Sequence, residues 1–296
     1  MKKKAIITGG TGFVGSNLSR ELLKQGWEVF IISQKEFGYK NIEDIKNKLN
    51  IFEYDGNIQK LINFFKDSKA DVVFHLASVF ISEHKTDDIN LLIDSNLKFG
   101  THILEAMKES DTKLIINTGT SWQHYNNEDY NPVCLYAATK ESFEKLMEYY
   151  IQGESIRAIT LKLFDTYGET DTRPKLINLL SKFSKEKTQL DMSPGDQVID
   201  LVHVDDVVNA FIKAYEYLSE NNKIKYEKYA VSSGKELKLR ELISIYEEIT
   251  GNKILVNWGG RSYRKREVMN LWRNFKKLPN WDCTIDINEG LKRMPH

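Results

Sequence analysis

Short apolar runs alternate with longer polar-apolar segments through the first half of the chain. Ala5-Ile6-Ile7 reads as a buried strand and leads into the glycine-rich run Thr8-Gly9-Gly10-Thr11-Gly12-Phe13-Val14-Gly15, after which residues 16–25 carry a helical pattern. Glu28-Val29-Phe30-Ile31-Ile32 predicts a second strand. Ile51-Phe52-Glu53-Tyr54-Asp55 predicts a third, and Val72-Val73-Phe74-His75-Leu76-Ala77 a fourth. A helix is expected over about 90–109, and Lys113-Leu114-Ile115-Ile116-Asn117 predicts a fifth strand. Such regular alternation argues a parallel sheet covered on both faces. After Leu163 it breaks down: Arg173-Pro174-Lys175-Leu176 opens a helical region, residues 191–200 form a loop with Pro194 and Gly195, and residues 205–218 are helical again.

Composition narrows the function classes. Lys plus Arg equals Asp plus Glu at 42 each, so no net charge draws the chain to nucleic acid or to an anionic membrane. The two cysteines, Cys134 and Cys283, lie far apart without a pairing pattern, and the six histidines show no metal-ligand spacing. No apolar run approaches membrane-spanning length, and the basic start Lys2-Lys3-Lys4 is followed by too short an apolar run for a signal peptide. A cytoplasmic protein is expected.

The glycine run brings the first chemistry. Gly10, Gly12 and Gly15 have the G-x-G-x-x-G spacing, and Gly9, Gly12 and Gly15 recur every three residues, directly after a strand and at the opening of a helix. Glycines there permit a tight turn and let the backbone approach a pyrophosphate at the helix N-terminus, so a dinucleotide is the expected cofactor. At the end of the second strand an NAD-binding chain needs a carboxylate for the ribose hydroxyls. Here stand Ser33, Gln34 and Lys35, which suit a 2′-phosphate and favour NADP(H) over NAD(H), although Lys35 could point to solvent and Glu36 follows it. The loop at Asp55 and Gly56 would flank the adenine. His75 reads as a packed strand histidine.

Tyr136 and Lys140 lie four positions apart in a helical run, hence on one face. A nearby ammonium favours phenolate and lowers a phenol pKa from its usual value of about 10; reaching 7 requires roughly 4 kcal/mol. The fifth strand ends in Thr118-Gly119-Thr120-Ser121-Trp122-Gln123-His124 at a carboxyl edge, where ligands bind open α/β sheets.

Taken together, the glycine turn, Phe74-His75-Leu76-Ala77-Ser78, Asn96, Thr118, the Tyr136 and Lys140 pair, Leu163-Phe164-Asp165-Thr166-Tyr167-Gly168 and Leu201-Val202-His203-Val204-Asp205-Asp206 resemble the extended short-chain dehydrogenase/reductases of the NAD-dependent epimerase/dehydratase family. The resemblance runs nearly end to end. It implies an α/β fold, a Rossmann-type doubly wound parallel sheet with a smaller α/β substrate-binding domain. Residues 1–164 plus roughly 198–218 would form the dinucleotide-binding domain, and residues 165–197 and 219–296 the nucleotide-sugar-binding domain. It further implies that Tyr136 transfers the proton, Lys140 holds the nicotinamide ribose, and Thr118 hydrogen-bonds the reacting oxygen. Phe13, Val14, Leu76, Ala77, Ser78, Asn96 and Leu163 would join the cofactor site.

Within the family, 4,6-dehydratases resemble one another in placing a carboxylate just after the threonine. This chain has Gly119 and Thr120, neither titratable at neutral pH, so dehydration is rejected. An epimerase retains NAD, whereas a reductase consumes fresh cofactor, so the residues at Ser33 favour reduction. The run from Thr118 to Tyr125, with Asn131-Pro132 and Tyr136-Ala137-Ala138-Thr139-Lys140, resembles the CDP-abequose and CDP-paratose synthase group. That implies 4-ketoreduction of a CDP-linked deoxysugar in O-antigen lipopolysaccharide synthesis. The alternatives are an NAD-dependent 4-epimerase or 4-dehydrogenase, and an NADP-binding regulatory protein. Thr120, Trp122 and Gln123 are expected in the sugar pocket, and Arg173, Lys175 and Arg264 at the substrate, with Arg suited to bidentate phosphate contact. Asp165 departs from the family's usual Asn and would accept from the sugar or hold its loop. A homodimer through the helices after Asn96 and Tyr136 is expected, with no metal, nucleic acid or membrane.

Overall fold

The structure, a computed structural model, describes residues 2–34 and 38–295. In chain order the first half contains β1 (Lys4–Thr8), α1 (Phe13–Lys24), β2 (Glu28–Ser33), β3 (Asn50–Glu53), α2 (Ile58–Ser68), β4 (Val72–His75), α3 (Asp88–Ile93), α4 (Phe99–Lys108), β5 (Leu114–Thr120), α5 (Leu135–Gly153) and β6 (Arg157–Leu163). The second half contains β7 (Asp165–Tyr167), α6 (Leu176–Glu186), β8 (Leu190–Met192), β9 (Val198–Ile199), β10 (Leu201–His203), α7 (Val204–Glu220), β11 (Tyr226–Val231), β12 (Leu237–Lys238), α8 (Leu239–Thr250), β13 (Val256–Trp258) and α9 (Ile287–Arg293).

The central sheet is parallel and seven-stranded, in the order β11-β6-β5-β4-β1-β2-β3. The order reverses at β1, since the chain leaves β3 and returns to β4 on the other side of β1, and the carboxyl edge at such a switch point is where doubly wound sheets bind ligands. Strand periodicity explains why both faces are covered. Ala5, Ile7, Val29, Ile31, Val72 and Phe74 point to one face, against Leu18 and Leu22 of α1 and Val207 and Phe211 of α7. Ile6, Phe30, Ile32, Val73, Ile115 and Ala158 point to the other, against α2, α4 and α5. A sheet buried on both sides has no polar alternation, which is why its strands read as continuous apolar runs.

A third, smaller core lies beyond the carboxyl edge, where Leu180, Leu190, Met192, Leu242 and Tyr246 pack together. Its backbone is held by three strand pairs, β10 with β7, β12 with β9 and β13 with β8. Two sequence expectations change here. The expected boundary put residues 219–296 in the second region, but β11 pairs in parallel with β6 from Tyr226 to Val231 and forms an edge of the main sheet. The helix expected over about 90–109 is interrupted by a π turn at Asp94–Lys98, centred on Asn96. Helical periodicity continues across such a turn and hides it.

The C-terminal segment returns to the main body through one carboxylate. Asp206, 4% exposed at the start of α7, accepts from Thr284 Oγ1 at 2.7 Å, Ile285 N at 2.9 Å, Thr284 N at 3.1 Å and Cys283 Sγ at 3.2 Å. Trp281 Nε1 donates to the Asp206 carbonyl at 3.0 Å. Removing the carboxylate leaves four donors unpaired, the Ile285 N–H among them in a buried position. We expect Asp206→Ala to lower stability by about 2–4 kcal/mol, read by urea denaturation, with residues 281–295 becoming protease-sensitive first. A loss below about 0.5 kcal/mol, typical of surface changes, would show that the segment is held by its apolar contacts alone.

Candidate active site

The glycine turn after β1 is closed against the end of β4. Gly9 has φ +69°, and a Cβ on it would lie 2.7 Å from Ala77 N, so only glycine fits. A Cβ on Gly15 would overlap the Gly9 carbonyl oxygen. Thr8 Oγ1 links the two strands, 2.9 Å from His75 Nδ1 and accepting from Ala77 N at 3.2 Å. His75 is buried, which drives its pKa down to about 3, with the Lys140 charge adding to the effect, so it stays neutral as a packed strand residue.

Gly12 caps α1 in an extended conformation with no side-chain hydrogen bond, and no acidic residue stands in the first turn. Free N–H groups at a helix start with no competing carboxylate favour an anion. The tight turn and this bare helix start fit a dinucleotide pyrophosphate. Phe13 is buried and Val14 half-buried beside it, while Leu76, Ala77 and Ser78 continue from β4 on the other side. Ser33 is buried at the end of β2 and Gln34 is half-buried; Lys35 lies outside the described residues. Asp55 is exposed and paired with Lys60 at 2.6 Å, next to Gly56 at φ +89°. No carboxylate stands at positions 33 or 34.

The catalytic candidates come from the end of β5 and the first turns of α5. Tyr136 is 9% exposed and Lys140 1%. Burial pushes the Tyr136 phenol up to about 12, opposed by a hydrogen bond with Ser78. This reverses the expected lowering: in a site this dry, loss of water disfavours phenolate by more than the neighbouring groups recover. Burial also lowers Lys140 to about 8, with Glu144 opposing. Thr118 Oγ1 is buried and has no hydrogen-bond partner among the described residues, which leaves it available to a ligand oxygen.

Four further expectations meet the structure differently. Gln123, expected in the sugar pocket, is fully buried behind it: its amide donates to Glu141 at 2.6 Å and Glu144 at 2.8 Å and accepts from Thr120 N at 2.9 Å. The Thr120 hydroxyl accepts from Trp122 N at 3.3 Å and caps the turn. Asn96, expected at the cofactor, is 2% exposed and joins Val79 N and O and Thr139 Oγ1 at 2.8–3.1 Å. It clamps the loop after β4 to α5. Leu163, at the end of β6, packs half-buried against the main core.

The remaining candidates converge on one cleft. Trp122 lies 5.5 Å from Phe80, which lies edge-on 5.0 Å from Tyr136. Lys175 Nζ sits 3.7 Å above the Phe80 ring, the Arg264 guanidinium 4.9 Å from Trp122, and the Arg173 guanidinium 4.7 Å from Phe13. Arg173 also pairs with Asp171 at 2.7 Å, and Arg264 with Glu267. Asp165 opens onto the cleft but sits deep within it, and that burial raises its carboxyl pKa, opposed first by Lys175 and then by Arg264 and Arg173, while Asp200 adds to the rise. Phe80 escaped the sequence reading because a single phenylalanine in a loop carries no spacing signal. His124, 7% exposed, stacks on Trp272 at 3.9 Å, and burial lowers its pKa to about 4.

Comparison with known proteins agrees with this geometry. The chain is 28% identical over 267 residues to a CDP-abequose synthase of Yersinia pseudotuberculosis, covering 90% of each chain. It is 27% identical to that of Salmonella muenchen, covering 99% of this chain and 97% of the other. A UDP-glucuronic acid 4-epimerase from Bacillus cereus, solved with UDP-glucuronic acid and NAD, shares its fold with a TM-score of 0.86 at 23% identity, over 98% of this chain and 97% of that one. Residues 5–231 match the NAD dependent epimerase/dehydratase family. The chain therefore belongs to that family and is an NAD(P)-dependent oxidoreductase of the extended short-chain dehydrogenase/reductase type.

Proposed function

We propose that this enzyme uses NADPH to reduce the C4 keto group of a nucleotide-linked deoxysugar, with CDP as the nucleotide. The observation that carries the reading is the end of β2, where Ser33 and Gln34 offer no carboxylate to a ribose and suit the 2′-phosphate of a cofactor consumed at each turnover; Tyr136, buried with its phenol held protonated, supplies the proton. A buried phenol pushed up to about 12 is a proton donor at neutral pH. Ketone reduction needs a donor, because hydride arriving at carbon leaves an alkoxide on oxygen.

Bound NADPH supplies the hydride. Thr118 Oγ1 donates to the same oxygen as Tyr136 and steadies its developing charge. The Lys140 ammonium, buried behind Tyr136, stabilises the phenolate left after proton transfer. Dehydration is disfavoured beyond the lack of a carboxylate after Thr118. A Cβ at Gly119 would lie 3.0 Å from Gln123 Oε1 and 3.1 Å from Glu144 Oε1, so a carboxylate there would crowd two oxygens.

Lys175, Arg173 and Arg264 bring positive charge to the cleft for a diphosphate, and Trp122 and Phe80 offer apolar faces beside it. The CDP-linked deoxysugar is supported by likeness to the abequose synthases along most of both chains. NADPH is supported by the absence of a carboxylate at Ser33 and Gln34. We take the enzyme to be a cytoplasmic homodimer. None of its described helices is long and apolar enough to cross a membrane, and Leu91 on α3 and Tyr149 on α5 are 49% and 68% exposed.

Replacing Tyr136 by Phe should reduce kcat by about 10²–10⁴-fold while NADPH binding persists, measured by turnover of a CDP-4-keto-6-deoxysugar and by fluorescence titration. Unchanged turnover would remove Tyr136 from the reaction. Stripped protein should bind NADPH more tightly than NADH, and Ser33→Asp should reverse that order. Retention of tightly bound NAD through purification would replace the proposal with a 4-epimerase or 4-dehydrogenase. The rate of reduction should fall as pH rises through about 8, where Lys140 loses its charge, and should stay level below it. A profile that is flat well above that value would separate Lys140 charge from the rate.

A further inference from the structure

Behind the catalytic strand lies a buried polar cluster that the proton transfer itself does not use. Glu144 is 0% exposed, Lys162 2% and Gln123 0%. Lys228 Nζ of β11 lies 2.7 Å from Glu144 Oε2. Lys162 Nζ of β6 lies 3.5 Å from Glu144 Oε1 and 3.4 Å from Glu141 Oε2. Tyr226 OH donates to Glu144 Oε2 at 3.3 Å. Two carboxylates and two ammonium groups balance, and the two lysines outweigh the burial that would raise the Glu144 carboxyl.

Gln123 is the only member of this cluster on the turn that follows Thr118. Its two amide N–H groups are both committed, to Glu141 and Glu144, and its carbonyl receives the Thr120 N–H. Glu141 and Glu144 follow Lys140 on α5, the helix that carries Tyr136. One side chain therefore joins the strand end bearing Thr118 to the helix bearing Tyr136 and Lys140. Asn117 Nδ2 donates to Thr160 Oγ1 at 3.1 Å and ties the same strand to β6.

We infer that Gln123 and Glu144 are positioning residues for the proton transfer. Gln123 sets the distance between the Thr118 hydroxyl and the Tyr136 phenol, and Glu144 anchors Gln123. The inference rests on the ketoreductase reading for its kinetic test, but the clamp itself can be observed without turnover.

The test uses two variants of the full chain. Gln123→Met keeps the volume but breaks all three hydrogen bonds. Amide hydrogen exchange over residues 118–123 should accelerate. The kcat for reduction should fall by about 10–100-fold, as expected for a displaced catalytic pair, with KM values for sugar and cofactor little changed. Glu144→Gln keeps the shape but removes the charge that receives the Gln123 N–H, and should accelerate exchange over residues 118–123 to a smaller extent. Wild-type protein that fails to reduce 4-keto sugars would overturn the reaction assignment while leaving the exchange experiment able to judge the clamp. Unchanged exchange over 118–123 in Gln123→Met would overturn the clamp. So would normal kcat in a variant that loses only thermal stability, and unchanged exchange in Glu144→Gln would overturn the role of its charge.

Discussion

The packing of α5 against the sheet is the constraint on which the rest of the site depends. This one helix carries Tyr136, Lys140 and the carboxylates that tie it to β6 and β11. Its apolar residues, among them Phe143, Met147 and Tyr150, bury one stripe on the sheet. That contact alone would let the helix slide, since apolar surfaces are not directional. The ion cluster of Glu141, Glu144, Lys162 and Lys228 adds direction. Hydrophobic burial thus supplies the bulk of the attachment and the buried charges select one arrangement of it, a use of buried ion pairs that makes sense when geometry matters more than stability.

Burial also controls the chemistry. The same exclusion of water that holds Tyr136 in its protonated form lowers Lys140 towards neutrality and keeps His75 uncharged. Each shift disfavours the charged form, as a low dielectric requires. On the proposed reading this state gives a proton, and the buried Thr118 hydroxyl at the end of β5 has no partner among the described residues to compete with a ligand. The cleft beyond is different in character. Its cations rest on aromatic faces or on Asp171 and Glu267, a half-buried arrangement from which they can turn to a diphosphate at modest cost.

The sequence carried the parallel sheet, the glycine turn and the phenol-ammonium pair, because each depends on local rules: strand hydrophobicity, the steric demands of a turn, and helical spacing. Those rules hold within a dozen residues. The family likeness then tied the separate pieces to one reaction class.

Tertiary structure decided what local rules cannot reach. Gln123 read as ligand-facing because polar residues near a carboxyl edge usually are, and Asn96 because the family likeness implied it. They turned inward because buried carboxylates and backbone groups elsewhere in the chain required partners. Tyr226–Val231 left its expected region to pair with β6, since an open sheet edge with apolar neighbours accepts another strand whatever its place in sequence. The direction of the Tyr136 shift was also beyond the sequence: the spacing of Tyr136 and Lys140 places a charge near the phenol, but only the fold determines how much water remains there, and dehydration prevails. The sequence by itself determined which groups are available and which sit on a common face. Only the packed chain decided which of them meet the cleft and in which protonation state, because both depend on contacts between residues far apart in sequence.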